Sequence, residues 1–190
     1  MSQNLCNSGI ILKLIPEKDL CIILDSFHGK IPCRSKSKIL LNGLEISYFL
    51  NKKKDYFFLE KITIENNPFE IAKENLFFLH HILELTNFFS PLEKPNEEIY
   101  NILNFFLKYY PKFQSKIKQK IFLCKFFSLL GIYPDMKQIS YNIFEFIISP
   151  IDIVVDIEID LTIERILDLW INYGIETHPY YKKLNTRRFL

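Results

Sequence analysis

The chain has 190 residues, 48% of them apolar and 24% charged, with a net charge of +2. That length holds one large or two small domains, and no run approaches the roughly 18 consecutive apolar residues of a membrane span. The start, Met1-Ser2-Gln3-Asn4-Leu5-Cys6, lacks the basic and then apolar pattern of a secretion signal, so a cytoplasmic protein without a membrane partner is expected. Cys6, Cys21, Cys33 and Cys124 have no paired spacing and no histidine pattern beside them. This argues against a disulfide framework and against a zinc ribbon.

Charge is distributed in blocks. Residues 1–66 carry ten Lys/Arg against seven Asp/Glu, 67–107 two against six, and 108–134 six lysines and no acid. Residues 135–176 carry two bases against nine acids, and 177–190 four bases alone. Blocks of this kind create local potentials that the total conceals.

The first third reads as strands. Short β-branched or aromatic runs at 10–15, 20–24, 30–33, 44–50 and 56–64 are separated by Pro16-Glu17-Lys18, His28-Gly29, Asn42-Gly43 and Asn51-Lys52-Lys53-Lys54. Five strands with a long basic connector after the third suit a partly open barrel of the OB type, and an SH3-like barrel is the competing all-β arrangement. At Asn67-Pro68 the period changes. Asn67 suits a cap, Pro68 the first helical position and Glu70 a capping-box spacing. Phe69, Ala72, Leu76, Leu79, Leu83 and Phe89 then form a helical stripe ending before Ser90-Pro91.

Further helices are predicted over 96–109, with Ile99, Ile102, Leu103 and Phe106 inward, and over 113–130, stopping at Gly131. Two more cover 139–147 and 161–173, the last closing at Gly174. The expected fold is α+β: a five-stranded OB-fold barrel in residues 1–66, then an all-α helical domain in 67–190.

Lys30, Arg34, Lys36 and Lys38 lie between Asp25 and Glu45 in a window with no carboxylate. A connector of that kind beside a barrel groove neutralises phosphates without regard to sequence. Tyr48, Phe49, Tyr56, Phe57 and Phe58 supply rings on strands four and five, and alternation lets only some of them face outward. The cluster Lys52, Lys53 and Lys54 is a weaker signal, since lysines at hairpin tips commonly serve solubility.

On the third helix, Lys112, Lys116, Lys118, Lys120 and Lys125 flank the apolar positions Phe113, Ile117, Ile121 and Cys124, where their stems can cover apolar surface. Asp152, Asp156, Glu158 and Asp160 would share one strand face and are candidates for Mg²⁺ in a nuclease. No nucleophile or base accompanies them, and an acidic outer face gives the same pattern. His80 and His81 are adjacent and point to different helix faces. No catalytic constellation, metal site or cofactor is expected.

Six stretches in one order resemble the bacterial recombination mediator family RecO. They are Gly9-Ile10-Ile11-Leu12, Glu17-Lys18-Asp19-Leu20, His28-Gly29-Lys30-Ile31, Arg34-Ser35-Lys36-Ser37-Lys38, Leu130-Gly131-Ile132-Tyr133-Pro134-Asp135, and the basic end Lys183-Leu184-Asn185-Thr186-Arg187-Arg188-Phe189-Leu190. The resemblance implies an OB-fold domain followed by a helical domain. It also implies a non-enzymatic DNA repair and recombination protein, nucleoid-associated in the cytoplasm. Such a protein binds single- and double-stranded DNA, anneals complementary strands without ATP and assists recombinase loading.

The implied partners are RecR and the acidic tail of single-stranded DNA-binding protein. Lys30, Arg34, Lys36, Lys38, Lys52, Lys53, Lys54, Arg187 and Arg188 are the DNA-binding candidates. The chain departs from the family at one point: no cysteine follows Cys124, so the zinc module of many members is not expected. The alternatives are a protein-interaction scaffold that has lost DNA binding, and the nuclease.

Overall fold

Alternating side chains in the first third produce five strands in the computed structural model, which describes residues 6–53, 56–134, 144, 145, 147 and 161–186. The strands are β1 (Asn7–Ile15), β2 (Leu20–Asp25), β3 (Gly29–Arg34), β4 (Glu45–Lys53) and β5 (Tyr56–Asn66). They form a closed barrel in the order β1-β2-β3-β5-β4, so the barrel is not partly open. All pairings are antiparallel except β3 with β5. Cys21 and Ile23 on β2, Ile31 and Cys33 on β3, and Ile46 and Tyr48 on β4 recur at period two and fill the interior with Ile11, Leu40, Leu44 and Leu59. Ile10 and Leu12, on the opposite face of β1, are buried as well, and helix α1 (Phe69–Phe89) packs on this strand.

The start of α1 lies one residue beyond the expected position. Asn67 Oδ1 accepts from Phe69 N at 3.1 Å, and Pro68 stands at the cap. The expected stripe fails in its first half: Phe69 is 63% exposed and Leu76 46%, while Leu79 and Leu83 are buried. The cause is Asn75, whose backbone leaves the helical region (φ −150°, ψ 71°). Its Oδ1 accepts from Phe78 N at 3.0 Å, so it acts as an internal N-cap. The helical phase restarts there, and Phe78, Leu79, Ile82, Leu83, Leu85 and Thr86 form the buried face.

Helix α2 (Glu97–Lys108) starts where Asn96 Oδ1 accepts from Ile99 N at 3.0 Å and buries the four expected residues. Tyr100 on α2 meets Ser8 Oγ on β1 at 2.8 Å, and Lys108 reaches Glu45 Oε1 at 3.4 Å.

The chain divides into two compact units. One comprises the chain up to Lys108 together with the segment from Leu184, and the other is Tyr109–Lys183. The strand-to-helix change falls at residue 67, whereas the compact units part after α2. In the second unit, a 3-10 turn over Tyr110–Phe113 precedes α3 (Lys116–Leu129), capped by Ser115. Gly131 (φ +72°) ends α3: its N–H donates to Ser128 O, and that of Ile132 to Phe127 O. This pair of bonds is a Schellman stop, as the Leu-Gly pair predicts.

The final described helix, α4 (Leu161–Glu176), runs through Gly174. Gly174 is therefore no terminator. A Cβ there would lie 2.6 Å from the Phe127 ring, so the glycine permits the close approach of α3 and α4. The predicted helix over 139–147 lies almost wholly outside the described residues. Among the described residues, no helix is long and apolar enough to cross a membrane.

Two residues of the C-terminal segment are tied to the first unit. Glu84 on α1 accepts from Asn185 N and Nδ2 and from Thr186 N and Oγ1, at 2.6–2.9 Å. With its proton on Glu84, the Thr186 hydroxyl accepts from His81 Nδ1 at 2.7 Å. Burial lowers the His81 pKa to about 4, against a smaller opposing effect of Glu84.

Two outcomes are expected. Gly174→Ala gains about 1 kcal/mol of helix propensity but overpacks against a fully buried ring at ~1–3 kcal/mol. The net loss is about 0–2 kcal/mol, so a melting temperature lower by up to about 8 °C is expected for this substitution, read by calorimetry, with partial recovery on adding Phe127→Leu. His81 supplies a pH dependence. The fold binds the neutral ring, so its contribution is complete above the unfolded pKa near 6.5 and declines as pH falls toward 4. The slope is about 1.4 kcal/mol per pH unit, and His81→Asn should flatten denaturation midpoints between pH 4.5 and 6.5.

Candidate nucleic-acid interface

The β2–β3 turn is organised by a buried carboxylate. Asp25 Oδ1 accepts from Phe27 N, His28 N and His28 Nδ1 at 2.6–2.9 Å, and Oδ2 accepts from the Tyr48 hydroxyl. Tyr48 is fully buried, and desolvation, followed by the Asp25 charge, pushes its phenol pKa far up. Gly29 follows at φ +74°, where a Cβ would fall 2.1 Å from the Lys94 carbonyl oxygen. Glu93 N donates to Lys30 O at 2.9 Å.

Lys30 Nζ donates to Asn87 O at 2.5 Å, in the last turn of α1, where carbonyls lack helical partners. Half-burial there lowers the ammonium pKa by desolvation. The Gly29-Lys30 pair thus docks the α1–α2 connector on the barrel, with Lys30 as the cation at a helix C-terminus.

Arg34 is placed quite differently. Parallel pairing sets Cys33 beside Phe57 and Arg34 beside Phe58, while β4 brings Asn51 opposite Phe58 and Lys53 opposite Tyr56. Leu59 belongs to the core and Phe57 packs against it, so alternation puts Tyr56 and Phe58 on the outer face. The Arg34 guanidinium sits 4.4 Å from the Tyr56 ring centroid, and the Lys53 ammonium 5.5 Å from that of Phe58. Both distances fall inside the roughly 6 Å reach of a cation–π contact. Tyr56 remains 49% exposed.

Lys53 also lies 3.6 Å from Glu60, an exposed pair of little worth. Arg34 has no carboxylate partner among the described residues. Lys52, exposed near the end of β4, is 5.3 Å from Phe57, and Lys61 is 5.1 Å from Phe49.

Lys36 and Lys38 are exposed on the connector after β3 and line a cleft of ≈ 320 Å³ against β1 and β2. Buried Leu40 pins this connector into the barrel core. Asn42 Oδ1 accepts from Leu14 N at 2.9 Å, and Gly43 N donates to Ile11 O at 2.7 Å. Ile39 and Leu41, on either side of Leu40, are each 59% exposed.

Of the nine sequence candidates, the fold brings Arg34 and Lys53 onto one aromatic surface, with Lys52 beside it and Lys36 and Lys38 along the next segment. Lys30 is turned into packing. Lys54, Arg187 and Arg188 lie outside the described residues. What sequence reasoning missed is the partnership of Arg34 with Tyr56, because it depends on a parallel pairing between strands far apart in sequence.

The acidic stretch 152–160 also lies outside the described residues. Among those described, no group of three His, Cys, Asp or Glu side chains is placed to hold a metal ion. On α3, Lys120 is taken up by Glu164 at 2.7 Å and Asp168 at 2.8 Å. The Cys21 thiol is buried and pushed up to about 12, and burial raises those of Cys33 and Cys124 as well, which leaves them unreactive.

The position of Lys30 separates a packing role from a binding one. Lys30→Met retains the stem and loses the ammonium, so it should destabilise the protein by about 1–2 kcal/mol while changing oligonucleotide affinity less than about twofold. Denaturation and anisotropy on the same sample check both outcomes. In comparisons with known proteins, no family model and no curated protein matches the chain.

Proposed function

We propose that this chain is a non-enzymatic DNA-binding protein of repair and recombination, a mediator of the RecO kind. It holds single- and double-stranded DNA on the barrel, anneals complementary strands without ATP and assists recombinase loading with RecR. The acidic tail of single-stranded DNA-binding protein is its second protein partner. The observation that carries the reading is the outer row of β3, β5 and β4, where Arg34 over Tyr56 and Lys53 over Phe58 set cations beside rings. Rings accept stacked bases and the cations neutralise phosphates, the combination single-strand binders use. The strand order β1-β2-β3-β5-β4 with a parallel β3–β5 pair supports an OB-type barrel.

An interaction scaffold is the second reading. It is favoured by Phe69, Leu76 and Phe77, exposed on the first half of α1. Capture of protein partners without any shift of single strands would select it.

The test is titration of a labelled oligonucleotide at several salt concentrations, paired with an annealing assay. Affinity should fall steeply with salt. Neutralising Arg34, Lys36, Lys38 and Lys53 to Gln together should weaken binding at least about tenfold and lessen the log–log salt slope by about 3. An unchanged slope in that variant would sink the proposal.

A further inference from the structure

The cleft beside the connector has a chemistry distinct from that of the aromatic surface. Its lining residues are aliphatic at Leu14, Leu20 and Leu40, hydroxyl-bearing at Ser35 and Ser37, and basic at Lys36 and Lys38. Among the described residues, no aromatic ring lines it. Its volume, ≈ 320 Å³, lies at the small end of the roughly 300–1,000 Å³ of ligand sites. The walls are rigid for a loop: Ser35 N donates to Asp19 O at 3.0 Å, Ser37 N to Ser35 Oγ at 3.1 Å, and Leu40 is anchored in the core.

Asp19 is also among the lining residues, and an acidic residue at the border disfavours a dianionic terminal phosphate inside the cleft. A neutral planar group within, its phosphodiesters on the lysine side, satisfies both signs of charge. The cleft also adjoins the aromatic surface along the chain, since Arg34 stacks on Tyr56 and the next residue, Ser35, lines the cleft.

We infer that this cleft takes up one unstacked nucleotide of a bound single strand, its base among Leu14, Leu20 and Leu40 and its flanking phosphates on Lys36 and Lys38. The inference rests on the proposal that the barrel binds nucleic acid. It makes single strands, whose bases leave their partial stack at little cost, better ligands than duplex, because extrusion from duplex costs a few kcal/mol.

The experiment uses the full chain and an oligothymidylate carrying one 2-aminopurine. A base leaving the stack for an aliphatic cleft brightens, whereas stacking on Tyr56 or Phe58 quenches. The cleft is then blocked after folding, through Ser37→Cys in a Cys6→Ser background, by coupling a bulky thiol reagent. Cys6 is the exposed native thiol, and Cys21 is 1% exposed. Brightening on binding to the unblocked protein, and its loss in the blocked protein with affinity reduced less than about tenfold, is the expected result. Ser37→Leu, which narrows the cleft without adding a ring, gives the same readout without labelling. Quenching on binding, or brightening that survives the block, overturns the cleft while leaving the aromatic surface standing. No binding by the wild type overturns the nucleic-acid reading and the cleft together.

Discussion

The barrel depends on one buried carboxylate. Asp25 ends β2 at 1% exposure, paired across from Gly9 of β1, and receives the hydroxyl of Tyr48 from β4. Strand β1 lies between β2 and β4, so this bond crosses it. It can cross only because position 9 lacks a side chain: a Cβ there would stand 3.1 Å from the Tyr48 hydroxyl and 2.6 Å from Ile23. A carboxylate so deeply placed is costly unless its lone pairs are filled. Two backbone amides and the His28 ring fill the rest. The same bonds shape the turn that presents Gly29 and Lys30 to the α1–α2 connector, which couples closure of the barrel to docking of its helices.

Closure in turn fixes the candidate surface. Strands β3 and β5 meet in parallel only at their ends, through Cys33 with Phe57 and Arg34 with Phe58. That short contact carries Arg34 over Tyr56. A slip of one residue would send Arg34 inward and the thiol of Cys33 out, since faces alternate at period two. The arrangement is therefore held by the core residues on the other face, not by the cation–ring contacts, which are individually worth about 0.5–1 kcal/mol at exposed sites.

Much of this was legible in sequence where the determinants are local. Alternating strands, a second helix starting near residue 96 and the Gly131 stop depend on residues within one turn of each other, and they fall where the pattern puts them. Asn75 was not legible, because an asparagine in mid-helix carries no mark that it will cap a second half, and it displaced Phe69 and Leu76 from the expected core. Gly174 misled for the opposite reason. A glycine near a helix end suits termination, and only contact with Phe127 reveals that it is there to let two helices approach. Lys30 looked like a groove cation because its sequence neighbourhood is free of acids, yet its partner is a carbonyl 57 residues away.

The charge blocks take on a different meaning once folded. The lysine-only segment 108–134 and the acidic segment after it resemble two opposed fields along the chain, but Lys120 reaches from the first into Glu164 and Asp168 of the second. Local sequence charge there is partly consumed as internal pairing. The basic excess in residues 1–66 follows another course. Lys30 spends its charge on a helix terminus, while Arg34, Lys36, Lys38 and Lys52 have no carboxylate partner within ion-pair distance among the described residues. Cations left without a counter-charge, two of them beside rings (Arg34 and Lys52) and two along the connector, are those that an added anion would neutralise. This sorting by partner, more than the count of basic residues, concentrates the unpaired cations of the described barrel toward the end of β3 and the connector after it.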